Sequence, residues 1–346
     1  MGYTKAALGT TPAIRNDLAG WKAHLLELHS ELVAAGFVQT GDTGQLDISG
    51  VATLPANTTY AGYRIYEVDD DLAAAGYRIV FRLDFGVNFE SLYGGNQNPN
   101  CIRVRTTVGT KTDGVGTILS QNGSTAITPA ITWGNPQSYI DGGSQTTIVN
   151  VVANNYICVN PDKGFFGIVF SCNGRGSSGS GTQYGSFNGS TFTMMIQRSL
   201  DADGEPSNEG FTVYAPSLDK YAEWPPVVRF PFETTRYDPN LNRTYGYNYS
   251  DTTSISTQYA QVRAGGQDAP PISGDIQTSP CYQYVDGRLK FNPNMVTYRT
   301  QDLTEGTRFQ IETSPGVVST FIALGPGSGM RPDSFGQMNS FAMLFE

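Results

Sequence analysis

The feature that most constrains this chain is one apolar stripe near its start. In TPAIRNDLAGWKAHLLELHSELVAAGF, the residues Leu18, Trp21, Leu25, Leu28 and Leu32 recur at alternating steps of three and four. That is the spacing of a single helix face, narrow enough to be a coiled-coil seam over two heptads. The spacing predicts a helix over 12–35. Thr11 is placed to cap it, and Pro12 at the first helical position gives up no needed N–H. Gly36 can take the left-handed conformation that ends a helix, with Phe37 folding back on the last turn. A lone amphipathic helix must bury its stripe, and two ways are open. It packs on the chain's own β body, or copies pack together around a symmetry axis, which makes these five residues the candidate assembly interface.

Everything after the helix reads as strands and turns. YAGYRIYEVDDD and GYRIVFRLDFG alternate, setting Tyr63, Ile65 and Glu67 against Arg64, Tyr66 and Val68, and Ile79, Phe81 and Leu83 against Val80, Arg82 and Asp84. CIRVRTTVGT alternates again before the turn at Thr112, Asp113 and Gly114. Within TTIVNVVANNYICVNPDKGFFGIVFSC, the run from Asn160 to Gly164 is a strong turn signal between strands apolar on both sides, so that hairpin is expected to be central. The low-complexity tract 173–190 reads as an exposed hairpin tip or a flexible arm. Pro225, Pro226 and Pro231 argue against a central strand and mark a traverse. Asp286-Gly287 marks a late hairpin, and the apolar end from Phe341 to Phe345 reads as a docked final strand.

The expected fold class is therefore mainly β, with one N-terminal amphipathic helix followed by two β-sandwich-like domains. The divisions are 1–36 for the helix, 37–220 for the first sandwich-like domain, 221–275 for a Pro/aromatic-rich and polar connection, and 276–346 for a C-terminal β domain. Composition agrees: 346 residues hold 40 Gly and 19 Pro, only 15% are charged, and 19 Tyr with 18 Phe supply large β-formers. A net charge of −9 without a basic run argues against nucleic acid as a partner. No apolar stretch approaches bilayer-spanning length, so no membrane insertion is expected, and the opening residues lack the apolar core of a secretory signal. Cys101, Cys158, Cys172 and Cys281 are scattered with no C-x-x-C pair, which favours reduced thiols.

Candidate chemistry is thin. Gly174-Arg175-Gly176-Ser177-Ser178-Gly179 matches a dinucleotide pattern, yet the Gly/Ser-rich continuation cannot supply the helix N-terminus that would hold a pyrophosphate. The run from Asp201 to Glu205 begins like a calcium loop, but Pro206 and Thr212 stand where the loop needs Gly and Glu, so a hairpin turn is expected. Glu67 with Asp69, Asp70 and Asp71 could hold a hard cation, although a solvated strand end explains them more simply. His24 and His29 lie about 140° apart around a helix and cannot share one metal. With no other histidine, zinc sites and His-based acid–base catalysis are nearly excluded. A glycosidase-type carboxylate pair is not decided by sequence, since any of 31 acids could meet. Neither cofactor, metal site nor catalytic residue is expected; aromatic-rich polar tracts such as Tyr237 to Tyr249 read first as exposed interface loops, with sugar stacking as the alternative.

Several of these segments together resemble a known family. WKAHLLELHSELVAAGFVQTGDTGQLD from Trp21, then TLP, YAGYRIYEVDDDL, FRLDFG and VRTTVGTKTDGVGTI are similar to the opening of structural proteins of tailed bacteriophages. In those, a helix ending in AAGF and a polar QTGDTGQ turn lead into strands with an aromatic GY-x-I-(Y/W) pattern and a Gly-rich VGTGTDGAGT-type loop, matched here by Val108 to Thr117. The likeness covers roughly residues 15–120. Beyond it, only a general likeness to virion β-sandwich proteins extends to the closing FIALGPGSGMRPDSFGQMNSFAML. The resemblance implies a tail-associated virion part (collar, baseplate, tip or fibre), made in a host bacterial cytoplasm and assembling as a symmetric homo-oligomer. Its implied partners are copies of itself and other tail proteins, with a host surface glycan or protein as a further one. The alternatives are a receptor- or glycan-binding tail module and a capsid decoration protein. It implies no catalytic residue.

Overall fold

The computed structural model describes residues 8–10, 18–56, 59–91, 97–119, 146–178, 191–214, 227–232, 243–244, 278–285, 288–299, 306–323 and 339–345. In chain order, strand β1 (Leu8–Thr10) precedes helix α1 (Leu18–Ala34), β2 (Phe37–Gln39), β3 (Tyr60–Val68) and the one-turn helix α2 (Asp71–Ala74). Then come β4 (Val80–Ser91), β5 (Gln97–Gly109), β6 (Lys111–Thr112), β7 (Ile118–Leu119) and β8 (Thr146–Asn160). A 3₁₀ turn (Pro161–Lys163) leads to β9 (Phe165–Ser178), followed by β10 (Thr191–Leu200), β11 (Pro206–Tyr214), β12 (Val227–Pro231) and β13 (Arg243–Thr244). The last five strands are β14 (Thr278–Val285), β15 (Arg288–Arg299), β16 (Arg308–Ser314), β17 (Val317–Ala323) and β18 (Asn339–Leu344).

Among the described residues these strands form antiparallel sheets of seven (β1-β8-β9-β10-β11-β12-β13), five (β14-β15-β18-β17-β16), four (β2-β3-β4-β5) and two (β6-β7) strands. The protein is mainly β with one N-terminal helix, as the alternation and turn chemistry indicate. The expected central hairpin is β8–β9, with Asn160 opposite Phe165 across the 3₁₀ turn, and it lies inside the largest sheet. The hairpin at Asp286-Gly287 pairs Val285 with Arg288, its two turn residues lying outside the described set. The apolar C-terminal run docks between β15 and β17 as the middle strand of the five-stranded sheet.

Among the described residues, β8, β9 and β10 of the seven-stranded sheet are buried on both faces, which is why they read as continuous apolar runs. Ile157, Val159, Phe166, Ile168, Met194, Ile196, Phe211 and Val213 share a core with α1 and the four-stranded sheet. The alternate positions Tyr156, Cys158, Phe165 and Met195 share a second core with Val296, Phe309, Phe321 and the C-terminal residues Ala342 to Phe345. The two sandwich-like pairings therefore hold one sheet in common. The segment 276–346 contributes a single sheet whose core is completed by β8, β9 and β10, rather than enclosing a core of its own.

Three local expectations need correction. Residues 1–36 include a strand as well as the helix, since β1 adds to the edge of β8 with Leu8 opposite Ala153. Three residues carry no period of their own, so only the partner edge specifies them. In the expected connection 221–275, Val227–Pro231 is a strand pairing Tyr214 with Val227 and Gly210 with Pro231. Pro231 is tolerated because it ends that strand, near the sheet margin. The tract 173–190 is not wholly a tip or arm, because β9 continues to Ser178 with Arg175 opposite Val149. The rest of that tract and the aromatic loop 237–250, apart from 243–244, lie outside the described residues, as does the expected helix start at Thr11 and Pro12.

Helix α1 ends as its sequence foretells. Gly36 adopts φ +104, and its N–H donates to Val33 O at 3.1 Å, satisfying a carbonyl of the last turn. Phe37 is buried and meets Phe81 edge-on, ring centroids 5.2 Å apart. Trp21, Leu25, Leu28 and Leu32 are all at most 1% exposed, in the core shared with the two sheets, and Leu18 packs partly buried against it. Each full burial of such a side chain stabilises by roughly 1.5–3 kcal/mol.

Candidate functional site

The stripe Leu18, Trp21, Leu25, Leu28 and Leu32 is occupied by the chain's own sheets. Of the two readings open from sequence, the fold takes the first, and the assembly-interface assignment of these five residues is corrected accordingly. The indole N–H of Trp21 donates to Gly86 O at 3.2 Å, tying the helix to β4. A side chain so engaged cannot serve a neighbouring copy without opening the core.

A different constellation is built on the outer face of the four-stranded sheet. β2 ends at Gln39, and the chain turns away through Thr40 to Gln45, leaving the β3 edge without a strand partner. The Gln45 side chain takes over that role. Its Oε1 accepts from Ile65 N at 2.9 Å, and its amide donates to Thr40 O at 2.6 Å and Asp42 O at 3.2 Å. Thr43 N then donates to Gly114 O at 2.9 Å, docking this turn on the β6–β7 hairpin 71 positions later.

Tyr63 locks the two loops. Its hydroxyl lies 2.8 Å from Thr43 O and 3.1 Å from Val115 O, the single phenolic proton being shared between the carbonyls. At Gly116, φ is +106, and a Cβ there would fall 2.1 Å from the Tyr63 hydroxyl oxygen, so only glycine closes the corner. Asp113 shapes the hairpin tip by accepting from Thr117 N at 2.8 Å and Val115 N at 2.9 Å. The bonds to Thr117 and Val115 favour its ionised form and lower its pKa. Val115 stands at that tip, 66% exposed.

Alternation along β3, β4 and β5 carries the site across the sheet. Tyr63, Asp84 and Arg105 lie in one cross-strand row. The Asp84 carboxylate is nearly buried; Oδ1 accepts from Arg82 Nε at 3.0 Å and Oδ2 from Arg105 Nε at 3.1 Å. Arg82 also donates to Gly116 O at 2.7 Å and lies 3.8 Å above the Tyr63 ring, while Arg105 lies 4.5 Å from the Tyr60 ring. Each such stacking contact contributes about 0.5–1 kcal/mol at a partly exposed site. The result is a stiff ladder of Tyr, Arg and Asp, half open to solvent, beside two Gly-rich loop tips. It is suited to contact by a partner surface, where Tyr and Arg carry most of the energy.

Of the acidic candidates, Asp69 and Asp71 are exposed, as a solvated strand end predicts, and Asp70 alone departs from that expectation. Glu67 pairs with Arg78 at the surface. Asp70 caps α2 by accepting from Ala73 N at 2.7 Å, and it receives Arg198 Nε at 2.6 Å and Nη2 at 2.7 Å. Arg198 is fully buried on β10, so the pair joins the α2 region to the seven-stranded sheet. Its neighbour Gln197 accepts from Asn294 of β15 and donates to Lys163 O at 2.9 Å. The Asp201 turn is a hairpin turn, with its carboxylate accepting from Asp203 N and Glu205 N, both at 2.9 Å. Gly174, Arg175 and Gly176 lie within strand β9. His24 is buried, which pushes its pKa down to about 4, and His29 is lowered by burial and by Arg64. The Tyr66 hydroxyl sits 3.0 Å from His29 Nδ1, and burial pushes its pKa up to about 12.

Among the described residues, no helix is long and apolar enough to cross a membrane, and no group of three or more His, Cys, Asp or Glu is placed to hold a metal. No family model, curated protein or solved structure matches the chain.

Proposed function

We propose that this chain is a non-enzymatic structural component of a tailed bacteriophage virion, positioned in the tail and working by presenting rigid β surfaces to its neighbours. One observation carries the reading. The segments that bear the resemblance meet in space: the QTGDTGQ turn, Tyr63 of the GY-x-I-Y strand, and the loop at Gly114 to Gly116 join through the bonds of Thr43 and Tyr63. A motif set that closes one corner of a fold describes a structural unit, here α1 with β2 to β7. At this corner Thr43, Gln45, Tyr63 and Asp113 bond through their side chains to backbone, as in a scaffold whose task is shape.

Immunogold labelling of intact virions with antibody to this chain tests the proposal. Label confined to the tail supports it, and the position separates collar, baseplate and fibre. Label over the head replaces it with a capsid decoration role, and absence of the chain from purified particles by mass spectrometry refutes the virion reading.

A further inference from the structure

Helix α1 has a second stripe. Ala19, Ala23, Leu26, Ser30 and Val33 recur at steps of four, three, four and three, which is a heptad a/d series. All five are exposed, and none is charged; Leu26 is 37% and Val33 48% exposed. The seven buried positions, Trp21, His24, Leu25, Leu28, Glu31, Leu32 and Ala35, fall on the opposite side of the same heptad. A surface helix normally places its charges on the face turned from the core. Here Lys22 and Glu27 stand at the margins instead, leaving an uncharged seam between them.

We infer that this outer face of α1 is a docking surface for the same face of a second copy, the two helices running parallel about a symmetry axis. Charge complementarity selects this occupant. Lys22 and Glu27 flank the seam five positions apart, the offset at which a g-position charge meets an e-position charge on a parallel partner helix. Lys22 Nζ donates to Ser49 O at 2.7 Å and retains further donors for a partner carboxylate. Ala19, Ala23 and Ser30 let the helix axes approach until Leu26 and Val33 touch their counterparts. An isolated pair of helices this short would be marginal, but α1 is already folded on its own body and bears no nucleation cost. A seam of about 25 Å is small beside a standard interface, so association of the pure protein is weak and concentration-dependent. The inference stands apart from the virion reading and is tested without particles.

The experiment is oxidative cross-linking and sedimentation velocity on the full chain. In a parallel pair Ser30 faces its own counterpart, so Ser30→Cys gives a disulfide-linked dimer, whereas Asp162→Cys, exposed on the 3₁₀ turn, does not. Leu26→Glu in the Ser30→Cys background abolishes the cross-link, and alone it raises the dissociation constant at least about tenfold without changing the circular dichroism spectrum. Cross-linking of Ser30→Cys no faster than that of Asp162→Cys overturns the inference, as does association unaltered by a folded Leu26→Glu protein. Should Leu26→Glu fail to fold, the comparison of the two cysteine variants decides alone.

Discussion

Arg198 and Asp70, 128 positions apart, form a two-pronged ion pair in which the guanidinium is fully buried and the carboxylate 6% exposed. The same carboxylate caps helix α2, so one aspartate both starts a helix turn and neutralises a cation on the central sheet. Arg198 also lies 5.8 Å from the Phe232 ring. Next to it, Gln197 faces the other way and meets Asn294, so consecutive residues of β10 anchor both flanking layers.

Removing one member of that pair leaves a buried charge alone, which costs about 3–5 kcal/mol, whereas replacing both with apolar groups is often close to neutral. Asp70→Ala is expected to destabilise by that amount, plus about 1 kcal/mol for the lost cap. The double variant Asp70→Ala with Arg198→Met should be clearly more stable than Asp70→Ala alone. Equilibrium urea unfolding of the four proteins of the cycle measures this, and strictly additive losses would contradict the coupling.

The two stripes of α1 should respond in opposite ways. Leu25→Ala opens a cavity in a fully buried position and is expected to cost about 2–5 kcal/mol, and Leu25→Asp to unfold the chain. Leu26→Glu should leave the melting temperature within a few degrees of the parent. Thermal denaturation followed by circular dichroism makes the comparison.

Stability should fall on mild acidification through His24. Burial lowers its folded-state pKa from 6.5 to about 4, so as pH drops the unfolded chain takes up the proton first. The contribution is complete above about pH 6.5 and is lost progressively down to about pH 4, by on the order of 3 kcal/mol. His29, also lowered, adds in the same direction. Urea midpoints measured between pH 7 and pH 4.5 should fall less steeply in His24→Gln than in the parent, and parallel slopes would refute the assignment.

Gly116→Ala is expected to loosen the loop corner. The new Cβ would meet the Tyr63 hydroxyl, and the residue would be held at φ +106, so a loss of roughly 1–3 kcal/mol follows. Tyr63→Phe removes the shared hydroxyl bond while keeping the ring under Arg82, and should cost about 1 kcal/mol. Amide hydrogen exchange at Val115 and Thr117 should quicken in both variants. Unchanged exchange would mean that Tyr63 does not hold the loops.

Local chemistry made much of this structure legible. Val149, Val151 and Ile157, set among residues apolar on both sides, foretold a central hairpin, Asn160 to Gly164 its turn, and Gly36 the helix end, because each depends on neighbours within a few positions. The loop corner was half visible. Its motifs could be read one by one, but that Thr43, Tyr63 and Gly116 meet is a matter of strand register. The Arg198–Asp70 pair left no signal, since nothing in an isolated Asp69-Asp70-Asp71 run distinguishes a solvated strand end from a carboxylate that will be buried.

What the sequence by itself determined is the periodicity: one helix with apolar positions at heptad spacing, strands of period two, and turns where Gly, Pro, Asn and Asp permit them. Those are properties of the chain's own geometry, repeating over a few residues. What covers the helix stripe, that one sheet serves two cores, and where Asp70 finds its cation were decided only by the tertiary structure. Packing joins residues more than a hundred positions apart, and the free energy of burial depends on the partner surface, which no local pattern encodes.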